Sequence, residues 1–565
     1  NNNTNATQRY RYPKPTNNAE AARFLQQAQF SSTLVDIRHL RSLAGYEAWI
    51  DEQMKLPMDN NGLSWLKQWF QVMKKERLSV NPSEVVDEKN YWWVGGFGCL
   101  LTKQFCTEKD MLRKRVALAL SEIFVVSYPV YLNGFSYLLY AMESYWHLLN
   151  THAFGNYRNL LEAVTLSSAM GQFLGTLGNR KANGRGSQPD ENYAREVLQL
   201  FSIGLTQLNM DGTEKKNAQG KSIETYDLAQ VSELAKVFTG YVLDGGRTSA
   251  TSAEEHRKPM KVDERYHETG AKKVFDTTIP SGTPPKEALK MALDAIFNHA
   301  NVAPFISKLL IQRLVTANPT PAYVGRVSAV FANNGKGVRG DLSAVIKAIL
   351  LDDEARRPPN LTDVTHGKVR EPMISYIQWL QTFSTKKSLS GQWMAYWNEH
   401  TRRDMGFAPF TAPSVFNFFS PTYAPINNDF ITSNKLAPEL QMVDEASIAI
   451  YIQDARQLAS AGVQRGNVKG GWNVPEIKPD YSYAVTLADK PTELVNYLDL
   501  VMCANTMSSV TKKHIITACE AFSASATNYD PKLLELGVEV GDYKMRRVKA
   551  AVWMTLISPD YRVQK

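Results

Sequence analysis

The chain has no run of about eighteen consecutive apolar residues, so no membrane-spanning helix is expected. Its richest window, residues 116–132 (VALALSEIFVVSYPVYL), is interrupted by Ser121, Glu122, Ser127 and Pro129. Cysteine is scarce as well, four in 565 residues. No CxxC, CxxCH or Cys–His cluster occurs, which argues against a structural zinc or a covalently attached c-type haem. Cys99 and Cys106 are seven apart, and Cys503 and Cys519 sixteen apart. Two local disulfides or four buried reduced thiols both fit, because four cysteines permit three pairings and spacing does not choose among them. GxSxG, HExxH, GxGxxG and P-loop patterns are missing, so serine hydrolases, zinc proteases and nucleotide-dependent enzymes recede. Charge of one sign is not concentrated either: 64 Lys and Arg stand against 56 Asp and Glu, a net +8. Without a basic run or an RNA-binding signature, nucleic acid is not an expected partner. No metal site is assigned, and no cofactor is implied by any motif.

What is present is a globular composition, 44% hydrophobic and 21% charged, enough for a large core. Residues 1–18 (NNNTNATQRYRYPKPTNN) are polar and Asn-rich, and read as the flexible tail of an exported, processed chain. Beyond them helical periodicity dominates. Apolar residues recur at three- and four-residue steps over residues 21–30, 109–126, 156–177, 302–315, 342–351, 373–383, 443–461 and 542–557, among others. Strand signals are few. The best lies in residues 205–226, two short runs around Asp211-Gly212 and Gln219-Gly220. The expected fold is mostly α: a large, irregular multi-helix domain with a short β-hairpin excursion near 205–226. A main helical region, 19–385, is expected to carry a C-terminal helical region, 386–565, packed on it as one continuous domain.

Residues 189–205, PDENYAREVLQLFSIGL, place four polar side chains at the start of an apolar helix. Asp190 suits the N-cap, and Gly204 can close the helix in a left-handed conformation. Ala194, Val197, Leu198, Phe201 and Leu205 share one face. Glu191 and Arg195 form an i,i+4 ion pair. Asn192 and Glu196 point away from the apolar stripe, and need partners if another element covers that side. The following helix begins with Asp227 and Gln230 as a capping box and ends at Gly240, with Leu228, Val231, Leu234, Ala235 and Phe238 as its buried face.

These segments resemble a large bacterial family known as domain of unknown function 1800. AARFLQQAQF (21–30), LRKRVALALSEIFVVS (112–127), HAFGNYRNLLEAVTLSSAMGQFL (152–174), PDENYAREVLQLFSIGL and VSELAKVFTGY (231–241) follow in family order. So do HETGAKKVF (267–275), VAPFISKLLIQRLVTANPTPAYVGRV (302–327), RGDLSAVIKAILLDDEAR (339–356), GKVREP (367–372), PSVFNFFSPTY (413–423), LAPELQ (436–441) and SPDYRVQK (558–565). The resemblance covers nearly the whole chain. It departs at Ser168, where the family pattern often has Pro. It implies export, to the periplasm or beyond, and brings no agreed activity.

Candidate site residues come from three places. Glu196 and His267 are candidate bases, with Arg195 as a stabiliser of negative charge; a hydrogen-bonded structural histidine is the simpler reading of His267. Glu191, Asn192 and Lys272 are candidate binding groups beside them. Arg370 and Glu371 precede Pro372 at a helix start, where an ion-pair scaffold or an acidic-ligand contact both fit. Arg113 and Arg115 on an apolar helix suggest buried pairing. The loop 406–425 (GFAPFTAPSVFNFFSPTYAP) carries Phe416, Phe419 and Tyr423, either plugging the core or walling a groove. Two functions follow: a binding or assembly protein of the cell envelope, with an acidic polysaccharide or an envelope protein as partner, or an extracytoplasmic hydrolase or lyase acting on an envelope polymer.

Overall fold

A computed structural model describes residues 10–89, 95–131, 135–361, 366–395, 408–426, 428–465, 474–523 and 542–565. The first nine residues of the expected tail, and Gly406 and Phe407 of the aromatic loop, lie outside them. The protein is mostly α, with strands confined to short antiparallel pairs. The expected tail is held from residue 10 onward: Tyr46 N donates to Pro13 O (3.1 Å) and Arg11 N to Asp353 Oδ1 (3.0 Å).

Burial of apolar area drives the assembly, and one contiguous cluster of buried apolar side chains runs from Ala21 to Tyr561. Helix Met111–Ser121 is buried on almost every side and packs against helices Leu138–His152, Tyr46–Lys55 and Val302–Leu314. A helix covered all round has no solvent face on which to place charge, so its Lys114 and Arg115 must find partners inside. Lys114 pairs with Glu108 at 2.6 Å and Arg115 donates to Arg313 O at 2.8 Å.

The excursion at residues 205–226 is present as a ladder of isolated antiparallel bridges, Thr206–Glu224, Leu208–Glu214 and Lys216–Ser222. Four two-stranded pairs also occur among the described residues. One of them shapes the site below: Lys368–Val369 pairs with Val563–Gln564, in register Lys368 with Gln564 and Val369 with Val563. It ties the C-terminal residues to the start of helix Pro372–Phe383. Two hydrophobic positions differ from expectation. Leu228 is 70% exposed and Leu205 55% exposed: Leu228 is the first residue of its helix, and Leu205 lies beyond a helix that ends at Gln199, after the left-handed Gly204.

Of the two cysteine alternatives the structure shows no disulfide, and all four cysteines are buried. Cys99 and Cys106 lie on one helix, Gly95–Thr107, where seven residues of rise separate them by about 10 Å, beyond the reach of a bridge. Burial pushes the Cys106 and Cys519 thiols up to about 12. No helix among the described residues is long and apolar enough to cross a membrane.

Candidate functional site: a charged cavity near the C-terminus

The strand Lys368–Val369 and the turn Pro438–Met442 bound a cavity of about 460 Å³, within the range of small-molecule sites. Helix Glu445–Ala461 and the end of helix Tyr543–Ile557 complete its wall. That wall is aliphatic, built from residues such as Leu436, Leu440, Met442, Ile448, Ile452 and Val563. Lys368, Arg370, Glu371 and Glu439 line it too, and all four are buried. Val443, Ile448 and Ile452 are exposed, so the apolar wall runs out to the mouth while the charge lies deep.

The deep end is held by a network of fixed partners. Lys368 Nζ lies 3.3 Å from Glu371 Oε1 and 3.4 Å from Glu439 Oε1, and donates to Arg313 O at 3.0 Å. Arg313 pairs with Glu122 at 3.2 Å, and its guanidinium lies 4.5 Å from the centre of the Phe419 ring. Glu122 and Glu371 hydrogen-bond to each other. Burial, then the adjacent Glu371, pushes Glu122 up to about 8, as expected where two carboxyls share one proton. Burial acts on Glu371 as well, but Lys368, the Glu122 proton, Arg313 and Arg115 outweigh it and hold Glu371 low. Glu439 is raised by burial, against the pull of Lys368.

Arg370 is placed differently. It donates through Nη1 to Tyr561 O and through Nη2 to Gln26 Oε1 (3.2 Å), and stacks 4.3 Å from the centre of the Tyr561 ring. Arg562, also on the wall, donates to Ser375 Oγ (2.8 Å) and stacks 4.1 Å from the centre of the Tyr451 ring. Lys435 lines the cavity as well. None of these three cations has a carboxylate partner among the described residues. Lys368, Arg370, Lys435 and Arg562 outnumber Glu371 and Glu439 along the lining, so the cavity carries an excess of positive charge.

The other expected residues fall into separate places. Glu191 and Arg195 form the i,i+4 pair, at 3.3 Å, and Ser232 Oγ also donates to Glu191. The helix spans Asn192–Gln199, shorter than expected, with Asp190 Oδ1 accepting from Asn192 N (2.7 Å) and Gly204 at φ +72. Asn192 is exposed. Glu196 is only 5% exposed, and its Oε2 has no hydrogen-bond partner among the described residues; burial raises its pKa. His267 is buried and donates through Nδ1 to Thr239 O (2.8 Å), with burial holding the ring below its ordinary pKa. Lys272 donates to Gly270 O (3.0 Å). Neither Glu196 nor His267 lines the cavity, which takes in Arg370 and Glu371 alone among the expected residues. Of the aromatic loop, Phe419 is buried beneath Arg313, Phe416 is exposed, and the Tyr423 carbonyl accepts from Ala437 N (3.0 Å), tethering the segment that carries Glu439.

Six residues of this site escaped sequence reasoning: Glu122, Arg313, Lys368, Lys435, Glu439 and Arg562. Glu122 and Arg313 left a signal, charge inside otherwise apolar surroundings; Lys368, Lys435 and Arg562 lie in polar stretches and left none. Glu122 interrupts the richest apolar window, and Glu439 sits within LAPELQ.

No group of three or more His, Cys, Asp or Glu side chains that could hold a metal ion occurs among the described residues. The family model that matches the chain is described as "Protein of unknown function (DUF1800)" and spans residues 23–563. No curated protein and no solved structure matches the chain.

Proposed function

Since the chain belongs to the DUF1800 family, whose description carries no activity, we propose a role from the cavity itself: an exported ligand-binding protein of the cell envelope that takes an acidic ligand. The acidic group of an envelope molecule, whether glycan, protein or lipid, is the natural occupant. One observation carries this reading. Arg370, Lys435 and Arg562 line a cavity of about 460 Å³ without a carboxylate partner among the described residues. Guanidinium and ammonium groups held apart from carboxylates favour an anion entering from solution. Thermal-shift titration of the full chain with oligogalacturonate, with acidic peptides and with dodecanoate tests it. Stabilisation that weakens with salt and is lost in Lys435→Glu is expected; no stabilisation by any acidic ligand overturns the reading. Export is part of the same proposal. Fractionation of the source cell should recover the chain outside the cytoplasm, and recovery in the cytoplasm alone would contradict it.

A second reading, a hydrolase or lyase on an acidic envelope polymer, is favoured by the carboxyls on Lys368. Glu439 is raised and Glu371 is held low, a division that separates a proton donor from an ionised partner. In that reading Glu439 protonates the leaving oxygen and Arg370 stabilises the developing negative charge. Glu439→Gln would then slow depolymerisation about 100-fold or more with binding retained; equal turnover in the variant removes Glu439 from the chemistry.

A further inference from the structure

The division of the cavity into a deep cationic end and an apolar mouth narrows the ligand class. We infer that the occupant is a single-chain amphiphile: an anionic head, carboxylate or phosphate, joined to an aliphatic body. This inference rests on the proposed binding role of the same cavity.

An acidic sugar presents hydroxyls around its ring, and each needs a polar partner at the wall. Leu436, Leu440, Met442 and Val563 offer none. Two polar side chains that could serve are already engaged. Tyr451 donates its hydroxyl to Leu556 O (2.9 Å), and Asn318 exchanges hydrogen bonds with Leu436 through both its amide atoms (2.9 and 2.8 Å). A methylene chain asks for nothing but apolar area, and gains with each carbon buried. The wall also continues outward along helix Glu445–Ala461, where Ile448 and Ile452 stand exposed one turn apart, with Val443 exposed just before the helix. That exposed stripe suits the far end of a chain whose head is drawn inward to Arg370 and Arg562 and met by Lys435. The volume of about 460 Å³ accommodates one chain rather than a two-chain lipid.

Calorimetric titration of the full chain with dodecanoate and dodecyl phosphate, both below their micellar concentrations, tests the class and separates the two heads. Dodecanol, dodecyltrimethylammonium and oligogalacturonate serve as comparisons. Saturable one-to-one binding of a dodecyl anion is expected, at least about tenfold tighter than dodecanol. Lys435→Gln should weaken the anion about tenfold and leave dodecanol unchanged; Ile448→Asp should weaken both dodecyl ligands. Circular dichroism of each variant confirms that it is folded. Equal affinity for dodecanol or for the cationic amphiphile overturns the inference. Oligogalacturonate binding through Lys435, without dodecyl binding, overturns the amphiphile and leaves the acidic-ligand role standing. No binding by any anion removes both.

Discussion

Lys368 Nζ lies 3.3 Å from Glu371 Oε1, both side chains buried at the deep end of the cavity. An ion pair removed from water is held in place by what surrounds it, because each charge alone would be strongly unfavourable there. Removing the ammonium while leaving the acids is therefore more damaging than replacing one of the two acids that share it. Lys368→Met should destabilise the chain by about 3–5 kcal/mol. Glu439→Gln should cost under about 1 kcal/mol, because the amide keeps the side chain's shape and removes a charge that burial disfavours, while Glu371 remains on Lys368. Urea unfolding monitored by tryptophan fluorescence compares them. Equal losses in the two variants would show that Lys368 does not anchor the network.

Stability should depend on pH through Glu122. Its folded pKa is raised to about 8 from an ordinary 4.5, so the native protein keeps a proton that the unfolded chain has released. Its contribution is complete below 4.5 and is lost as pH rises toward 8. The groups facing it are Glu371, Arg313 and Lys368. Half-buried His147 and buried His267 are held low and act with the opposite sign, but only below their ordinary value of 6.5. Between pH 6.5 and 8 the unfolding free energy should therefore fall, and Glu122→Gln should flatten that decline. A decline of the same slope in the variant would place its origin elsewhere.

Free thiols should be counted only after unfolding. Native protein should react slowly with a thiol reagent, since Cys99, Cys106, Cys503 and Cys519 are all buried. Denatured protein, without reductant, should take up four equivalents by mass. Two equivalents or none would mean that cysteine pairs have formed.

Gly367 sits immediately before strand Lys368–Val369, against the backbone of Gln564 on the paired strand. Its φ is +118, and a Cβ there would stand 2.5 Å from Gln564 O. Gly367→Ala should destabilise the protein by about 2–4 kcal/mol and speed amide exchange at residues 563–564. Unchanged exchange there would contradict the role of this strand pair in closing the cavity.

Local signals in the sequence were read well where the cause was local. The capping box of Asp227 and Gln230 is present, as are the Glu191–Arg195 pair and the left-handed Gly204. Each depends on residues a few positions apart. Burial of Glu196 was foreseeable only as a condition, because helix geometry says which way a side chain points and not what covers it. Leu228 failed for the same reason. The cavity was illegible in outline, since it joins residues 317–318, 366–372, 430–452 and 557–563. Arg370 and Glu371 were found because they are adjacent and precede a helix. Glu122 and Glu439 belong to the same network, yet no periodicity connects positions so far apart. A charged residue in an apolar run was the one trace they left.

The single most direct measurement is a crystal structure of the full chain soaked with 12-bromododecanoate, with the bromine located by anomalous scattering. The result expected is a carboxylate drawn to Arg370, Lys435 and Arg562, with one bromine peak over Ile448 and Ile452. A cavity filled by the protein's own side chains, or bromine found only elsewhere on the surface, would contradict it.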